Sequence, residues 1–244
     1  MERAPLQPIV EQGLRFIERC AGAGIEACVN DFQETIRRLG FAGAACGAWA
    51  GVGKNRRNRF FFLAWPDDWL EFYNKNGCFE HDVLPIEARR RIAPSLWSEL
   101  RNAKLTAAQR AFCDAVWAYG WREVLAVPIH GPGSLQGLVT MATRTARSFT
   151  PGERAILEAM ARTIWERCRT SENFGVFTEG PAKLSPREIE CLQWAAAGKS
   201  DADIATLVGI KPATAHFHIE QAKKRLGVRT RVEAVGVGVL HGVI

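Results

Sequence analysis

Between Ser185 and Leu226 the chain spells out three helix starts and two glycine stops, a punctuation that fits a small bundle of short helices and little else. Ser185 stands at an N-cap, Pro186 at the first helical position and Glu188 at the third, so hydroxyl and carboxylate satisfy orphan amides reciprocally. The helix begun there carries Ile189, Leu192, Ala195 and Ala196 on one stripe and stops at Gly198. Ser200 caps a second short helix with Ile204, Leu207 and Val208, which Gly209 ends. Pro212 opens a third, in which Ala215, Ile219, Ala222 and Leu226 recur at i, i+4, i+7 and i+11 and must face the first two. Its outer arc is then Ala213, His216, Phe217, Glu220 and Lys224. This is the pattern of a helix-turn-helix whose third helix lies in the major groove of DNA. A three-helix packing unit is the alternative, and it leaves the polar and basic flanks unexplained.

Charge agrees in position more than in total. The net charge is +6, and residues 182–244 hold nine Lys and Arg against six Asp and Glu, half of that excess in a quarter of the chain. Lys211, Lys223, Lys224, Arg225, Arg229 and Arg231 fall in two predicted helices against Glu220, which suits a phosphate-facing surface as well as a solvated helix face.

Upstream of Leu184 the periodicity lapses over Thr170-Ser171-Glu172-Asn173, Gly175 and Glu179-Gly180-Pro181-Ala182-Lys183. That composition marks a linker, placed at 171–183, between a domain of residues 1–170 and one of 184–244. Residues before it predict helices at 8–20, 26–39, 66–76, 106–119 and 150–169, with strands at 44–50, 59–64, 122–129 and 135–143. The expected class is α/β with a mostly antiparallel sheet, joined to a small all-α domain. A last helix is expected at 229–241.

Several functions are disfavoured. No apolar run approaches a membrane span, and Met1-Glu2-Arg3-Ala4-Pro5 lacks the apolar core of a secretory signal, so the chain is expected in the cytoplasm, off the membrane. Seven cysteines without a C-x-x-C pair read as reduced, mostly buried thiols. Gly131, Gly133 and Gly137 miss the dinucleotide-loop spacing and lead into a strand, so a hairpin turn is expected. The basic run Lys54-Asn55-Arg56-Arg57-Asn58-Arg59 reads as a solvated loop and receives no role. His216 and His218, two apart on a helix, point about 200° apart and make no metal pair. With no G-x-S-x-G elbow or Cys/His pair at a recognisable motif, an enzyme acting on acyl esters is the weaker alternative, and catalytic residues, metal and cofactor are all expected to be none. A phosphorylation-driven regulator would need an acidic cluster that the N-terminal half lacks.

The N-terminal half concentrates aromatics. Trp65, Trp69 and Tyr73 fall at i, i+4 and i+8 on a helix begun by Pro66-Asp67-Asp68, and five of the eight tryptophans lie within 65–121. Such a set lines either an aromatic core or an apolar cavity with a few inward N–H and O–H groups.

Two sets of motifs resemble the LuxR-type transcription regulators. Leu184-Ser185-Pro186-Arg187-Glu188, Trp194 to Ser200, Ile204-Ala205, Thr214-Ala215-His216-Phe217-His218 and Leu226-Gly227-Val228 are similar to that family's DNA-binding domain. Trp65, Trp69, Tyr73, Asp82, Trp97, Gly120, Pro128-Ile129-His130-Gly131 and Gly137-x2-Thr140 are similar to its autoinducer domain. The resemblance implies an α-β-α sandwich enclosing an N-acyl- or aryl-homoserine lactone, and a homodimer on an inverted-repeat site of double-stranded DNA, with dimer contacts from the 150–169 helix and the last helix. It assigns the Trp69 indole to the lactone carbonyl, Asp82 to the ligand amide N–H, Trp97 to the lactone ring, Tyr73 to the acyl chain and Thr140 to the acyl carbonyl region. An ionised carboxylate accepts and an indole donates, so these pairings are chemically apt.

On the DNA side, Lys199, Lys211, Thr214, His218, Lys223, Lys224 and Arg225 are expected against phosphates, and His216, Glu220 and Gln221 against bases. This chain departs from the family at Trp65, often Tyr; at Val83, usually Pro; at Leu84, polar in some relatives; and at Ala215, usually Val. Those sensor departures favour a short, branched or aryl acyl group. Gly236 and Gly238 in the last helix should each cost about 1 kcal/mol relative to Ala and loosen it. A regulator of the same build sensing another small molecule, or none, is the remaining alternative.

Overall fold

The computed structural model describes residues 8–50, 57–100, 104–131, 135–170, 184–240 and 242–244. The chain packs as two compact units. The first contains α1 (Pro8–Cys20), α2 (Ile25–Arg38), β1 (Gly43–Ala50), β2 (Arg57–Ala64), α3 (Asp67–Lys75), α4 (Val83–Ala88), β3 (Ser95–Leu96), α5 (Trp97–Leu100), α6 (Ala107–Ala118), β4 (Glu123–His130), β5 (Gln136–Thr143) and α7 (Pro151–Arg169). The second contains α8 (Pro186–Ala196), α9 (Asp201–Val208), α10 (Pro212–Leu226) and α11 (Arg231–Leu240). The expected linker at 171–183 lies outside the described residues.

The five strands are ordered β2-β1-β5-β4-β3, and the β1–β5, β5–β4 and β4–β3 ladders are antiparallel. Strand alternation divides the sheet residues between two layers. Val124 and Ala126 of β4 join Leu138 and Ala142 of β5 in the core shared with Trp69, Phe112 and Val116 of α3 and α6. The intervening Leu125, Val127, Val139 and Met141 are fully buried on the other face. There α7 packs so closely that a Cβ on Gly137 would stand 2.4 Å from the Trp165 indole, and only glycine admits the contact. The Gly131 N–H closes on the Leu135 carbonyl at 2.9 Å and His130 pairs with Gln136, so this stretch is the expected hairpin. Gly133 and residues 54–56 of the basic run lie outside the described residues.

Capping decides where the helices begin. Thr106 with Gln109, Thr150 with Glu153, Ser185 with Glu188 and Ser200 with Asp203 each form reciprocal boxes at α6, α7, α8 and α9. Sequence reasoning missed a short 3-10 turn at Cys78–Glu80 together with α4, β3 and α5. Each is too short for periodicity to show, and α4 starts instead from a local cap, with Asp82 Oδ1 accepting the Leu84 N–H at 2.9 Å. The aromatic helix also differs in one respect: Pro66 is its N-cap in extended conformation, so Trp65 precedes α3 rather than belonging to it. All seven cysteines are buried free thiols.

In the second unit Ala215, Ile219 and Ala222 of α10 are buried against Cys191 and Leu192 of α8, Ile204 and Ala205 of α9 and Ala234 of α11. Gly209 and Gly227 end α9 and α10 in left-handed conformation, at φ 72° and 67°. The two glycines of α11 differ in kind. A Cβ on Gly236 would meet nothing within 4 Å, whereas one on Gly238 would stand 3.0 Å from Ile244, whose N–H with that of Val243 returns to the Gly238 carbonyl.

Candidate functional site

Between the sheet and the layer of α3, α4 and α6 lies a cavity of about 370 Å³, within the range that encloses a small molecule. Trp65, Trp69, Tyr73, Asp82, Trp97 and Thr140 all line it, although they come from four separate stretches of chain. Thr140 sits mid-sheet, paired across Ala45 of β1 and Ala126 of β4. Although Trp65 lies outside the helix, its ring centroid is 6.4 Å from that of Trp69, which is 6.2 Å from that of Tyr73, so the three remain one aromatic wall.

At the polar end of the cavity the Tyr73 hydroxyl donates to Asp82 Oδ2 at 2.9 Å, while Oδ1 caps α4. Burial pushes the Asp82 carboxyl up to about 6, and the Leu84 N–H and Tyr73 hydroxyl oppose that rise. Burial first, then the neighbouring Asp82 charge, drives the Tyr73 phenol well above its ordinary range, so it stays a donor. Two donors occupy two of roughly four lone-pair sites of the carboxylate, leaving capacity for a ligand N–H. Tyr73, expected from the sequence only beside an acyl chain, also orients this acceptor.

Trp97 and Trp121 each bury an indole N–H with no hydrogen-bond partner among the described residues, and both residues line the cavity. An unmatched buried donor costs about 1–3 kcal/mol, which an acceptor on a bound molecule relieves. Sequence reasoning gave Trp97 a stacking role and gave Trp121 none. The indole of Trp121 meets that of Trp65 edge-on at 4.9 Å, and a Cβ on Gly43 would stand 2.8 Å from Trp65 and 3.1 Å from Trp121, so β1 is glycine where these rings crowd it. Trp49, also in the lining, donates its indole N–H to Gln136 Oε1 at 2.6 Å. Its signal in the sequence was only its place at the end of a strand.

The helix-turn-helix unit presents α10 with Ala213, His216, Phe217 and Lys224 exposed, as the arc predicted, and Glu220 half-buried. Lys199 and Lys211 are exposed, while Thr214, His218 and Gln221 are half-buried. Four expected DNA contacts, Lys223, Glu220, Arg225 and His216, have partners inside the unit. Lys223 Nζ donates to Glu220 Oε1 at 2.6 Å, Arg225 Nε lies 3.3 Å from the buried Glu188, and His216 Nδ1 is 2.8 Å from Asp201. Among the described residues no group of three His, Cys, Asp or Glu could hold a metal, and no helix is long and apolar enough to cross a membrane.

A ligand-sized cavity in one unit and a helix-turn-helix in the other define a one-component transcription regulator. The autoinducer binding domain family matches residues 24–168, and the luxR family of bacterial regulatory proteins matches residues 182–237. The chain belongs to the LuxR family of autoinducer-binding transcription regulators. It is 27% identical over 185 residues to the transcriptional activator protein AhyR of Aeromonas hydrophila, covering 73% of this chain and 71% of that one. It is 25% identical over 241 residues to the quorum sensing-dependent regulator RpaR of Rhodopseudomonas palustris, covering 96% and 95%. These relatives are transcription regulators, not enzymes. The fold is that of Escherichia coli SdiA, at a TM-score of 0.69 and 17% identity over 96% of this chain and 97% of that one. A second SdiA structure, in complex with octanoyl-rac-glycerol, gives a TM-score of 0.70 at 17% identity and covers 100% and 98%.

Proposed function

We propose that residues 1–170 bind an N-acyl- or aryl-homoserine lactone, that 171–183 link, and that 184–244 bind an inverted-repeat promoter site as part of a cytoplasmic homodimer. The observation that carries the ligand class is the buried Asp82 carboxylate, an acceptor set in an apolar wall beside indole donors. An amide N–H meets Asp82, the lactone carbonyl meets Trp69, Trp97 covers the lactone ring, and Thr140 and Tyr73 flank the acyl carbonyl and chain. The indoles of Trp65 and Trp121, edge-on at 4.9 Å, line the cavity with rigid aromatic surface, which suits a short, branched or aryl acyl group. Ligand-dependent folding is a sufficient switch, since a ligand that binds only the folded sensor stabilises it by about 2.7 kcal/mol at a hundredfold excess over Kd.

Lys199 before α9, Lys211 at the N-cap of α10, and Thr214, His218, Lys223, Lys224 and Arg225 on α10 serve phosphates, while His216, Glu220 and Gln221 of α10 serve bases. A dimer spans two half-sites one helical turn apart, the usual geometry of helix-turn-helix proteins. The test is equilibrium binding of short, branched, aryl and long acyl-homoserine lactones, with octanoyl glycerol as a comparison arm, read by tryptophan fluorescence and followed by sedimentation with and without duplexes selected from a random library. One lactone bound per chain and two chains per duplex is expected. Binding of the glycerol ester alone overturns the lactone assignment, and preference for the longest chain overturns the acyl assignment.

A further inference from the structure

Three helices of the DNA-binding domain meet at one carboxylate. Asp201, the first residue of α9, contacts Nδ1 of His216 on α10 through Oδ2 at 2.8 Å and the guanidinium of Arg231 on α11 through Oδ1. Arg231 also donates to the Lys199 carbonyl, which fixes the guanidinium independently. Burial alone would raise the Asp201 carboxyl, but the hydrogen bonds from His216 and Arg231 outweigh it and hold the group below the usual carboxylate range. An ionised carboxylate has no proton to give, so the proton in the contact with His216 sits on Nδ1. In a neutral imidazole the other nitrogen, Nε2, then carries a lone pair.

The His216 side chain is 63% exposed and occupies the N-terminal half of α10, on the flank of the buried stripe Ala215, Ile219 and Ala222. That half of a groove-reading helix is where side chains reach base edges. In the major groove adenine N6 and cytosine N4 are donors, while guanine offers only the acceptors N7 and O6 and thymine only O4. We propose that Asp201 is a positioning residue for sequence readout: by holding the Nδ1–H tautomer of His216 it presents Nε2 as an acceptor for the exocyclic amino group of adenine or cytosine. The inference rests on α10 being the helix that enters the groove.

The Asp201→Asn substitution gives the sharpest consequence. Arg231 only donates, so it takes the Asn carbonyl and turns the Asn amide NH₂ toward His216 Nδ1. Nδ1 becomes the acceptor, the proton moves to Nε2, and the outward nitrogen becomes a donor that prefers the acceptor-bearing bases guanine or thymine. The Asn–Arg231 bond keeps the three helices tied.

The experiment uses the full chain at pH 8, above the ordinary range of an imidazole. Nitrogen-15 NMR of labelled histidines reads the tautomer, and selection from a random duplex library reads the base preference of wild type, Asp201→Asn and His216→Ala. The expected result is an Nδ1–H tautomer in wild type and Nε2–H in Asp201→Asn. One position per half-site changes from adenine or cytosine to guanine or thymine by at least tenfold in relative affinity, and His216→Ala loses discrimination at that position alone. His216→Ala leaves the Asp201–Arg231 pair intact, so it reports even if Asp201→Asn fails to fold. An Nε2–H tautomer in wild type, or a selected sequence indifferent to His216→Ala, overturns the proposal while leaving α10 as the groove reader. A wild-type chain that selects no sequence overturns both.

Discussion

The Tyr73 hydroxyl donates to Asp82 Oδ2 at 2.9 Å across the polar end of the sensor cavity. This one hydrogen bond joins the aromatic wall of α3 to the cap of α4, because the other oxygen of the same carboxylate holds the Leu84 N–H. It makes a buried acceptor available to a ligand while keeping its orientation fixed.

Asp82 should make the unliganded chain pH-sensitive. Burial raises its carboxyl from 3.8 to about 6, so the folded chain holds this proton more tightly than the unfolded chain does. The resulting stabilisation is full below about 4 and is lost as pH rises through about 6, on the order of 3 kcal/mol. Asp82→Asn removes that slope and leaves the unliganded protein at pH 7 at least as stable as wild type, as urea unfolding across pH 4–7 will read. Ligand affinity behaves oppositely, rising through the same range as the acceptor ionises.

Tyr73→Phe withdraws a donor from the buried carboxylate. The Asp82 carboxyl then moves above about 6, and the midpoint of the pH profile of ligand binding moves up with it. The lost hydrogen bond costs roughly 1–3 kcal/mol of stability or binding. A variant with an unchanged midpoint would show that the hydroxyl does not control the acceptor.

The two glycines of α11 should answer differently to alanine. At Gly236 a methyl group enters open space, so Gly236→Ala stabilises the helix-turn-helix unit by about 1 kcal/mol. At Gly238 the new Cβ stands 3.0 Å from Ile244, so the helix-propensity gain is offset by displacement of the C-terminal residues. Differential scanning calorimetry of the full chain separates them, with a higher melting transition expected for Gly236→Ala only.

Lys224 is exposed on the outer arc, whereas Lys223 is bound to Glu220. Lys224→Ala should weaken DNA binding equally across sequences and reduce the magnitude of the log K against log salt slope by about 1. A sequence-selective loss in fluorescence anisotropy titrations would assign Lys224 to the bases instead.

The elements long enough to show periodicity or capped by their own side chains were legible in the sequence. Ser185, Ser200, Thr106 and Thr150 hold the capping bonds at their helix starts, and α10 buries the stripe read from its spacing. All six residues assigned to the ligand line one cavity, because each was identified by residue type within a motif rather than by local structure. The relations among them were not legible. Nothing in the spacing of Tyr73 and Asp82 states that they bond, since Gly77 in left-handed conformation and a 3-10 turn bring the chain back between them. Trp121 was passed over because a strand-edge indole reads as core until Gly43 and Trp65 are seen against it. Asp201 carried no role in the sequence, since only tertiary packing brings His216 and Arg231 to it.

The most direct test of the sensor reading is the melting temperature of wild type and Asp82→Asn with a panel of acyl- and aryl-homoserine lactones at a hundredfold excess over Kd. One short, branched or aryl lactone should raise the wild-type transition by roughly 5–10 °C, and Asp82→Asn should abolish the rise without lowering the unliganded transition. An equal rise in Asp82→Asn, or no rise in wild type with any lactone, would contradict the assignment of this cavity to a lactone amide.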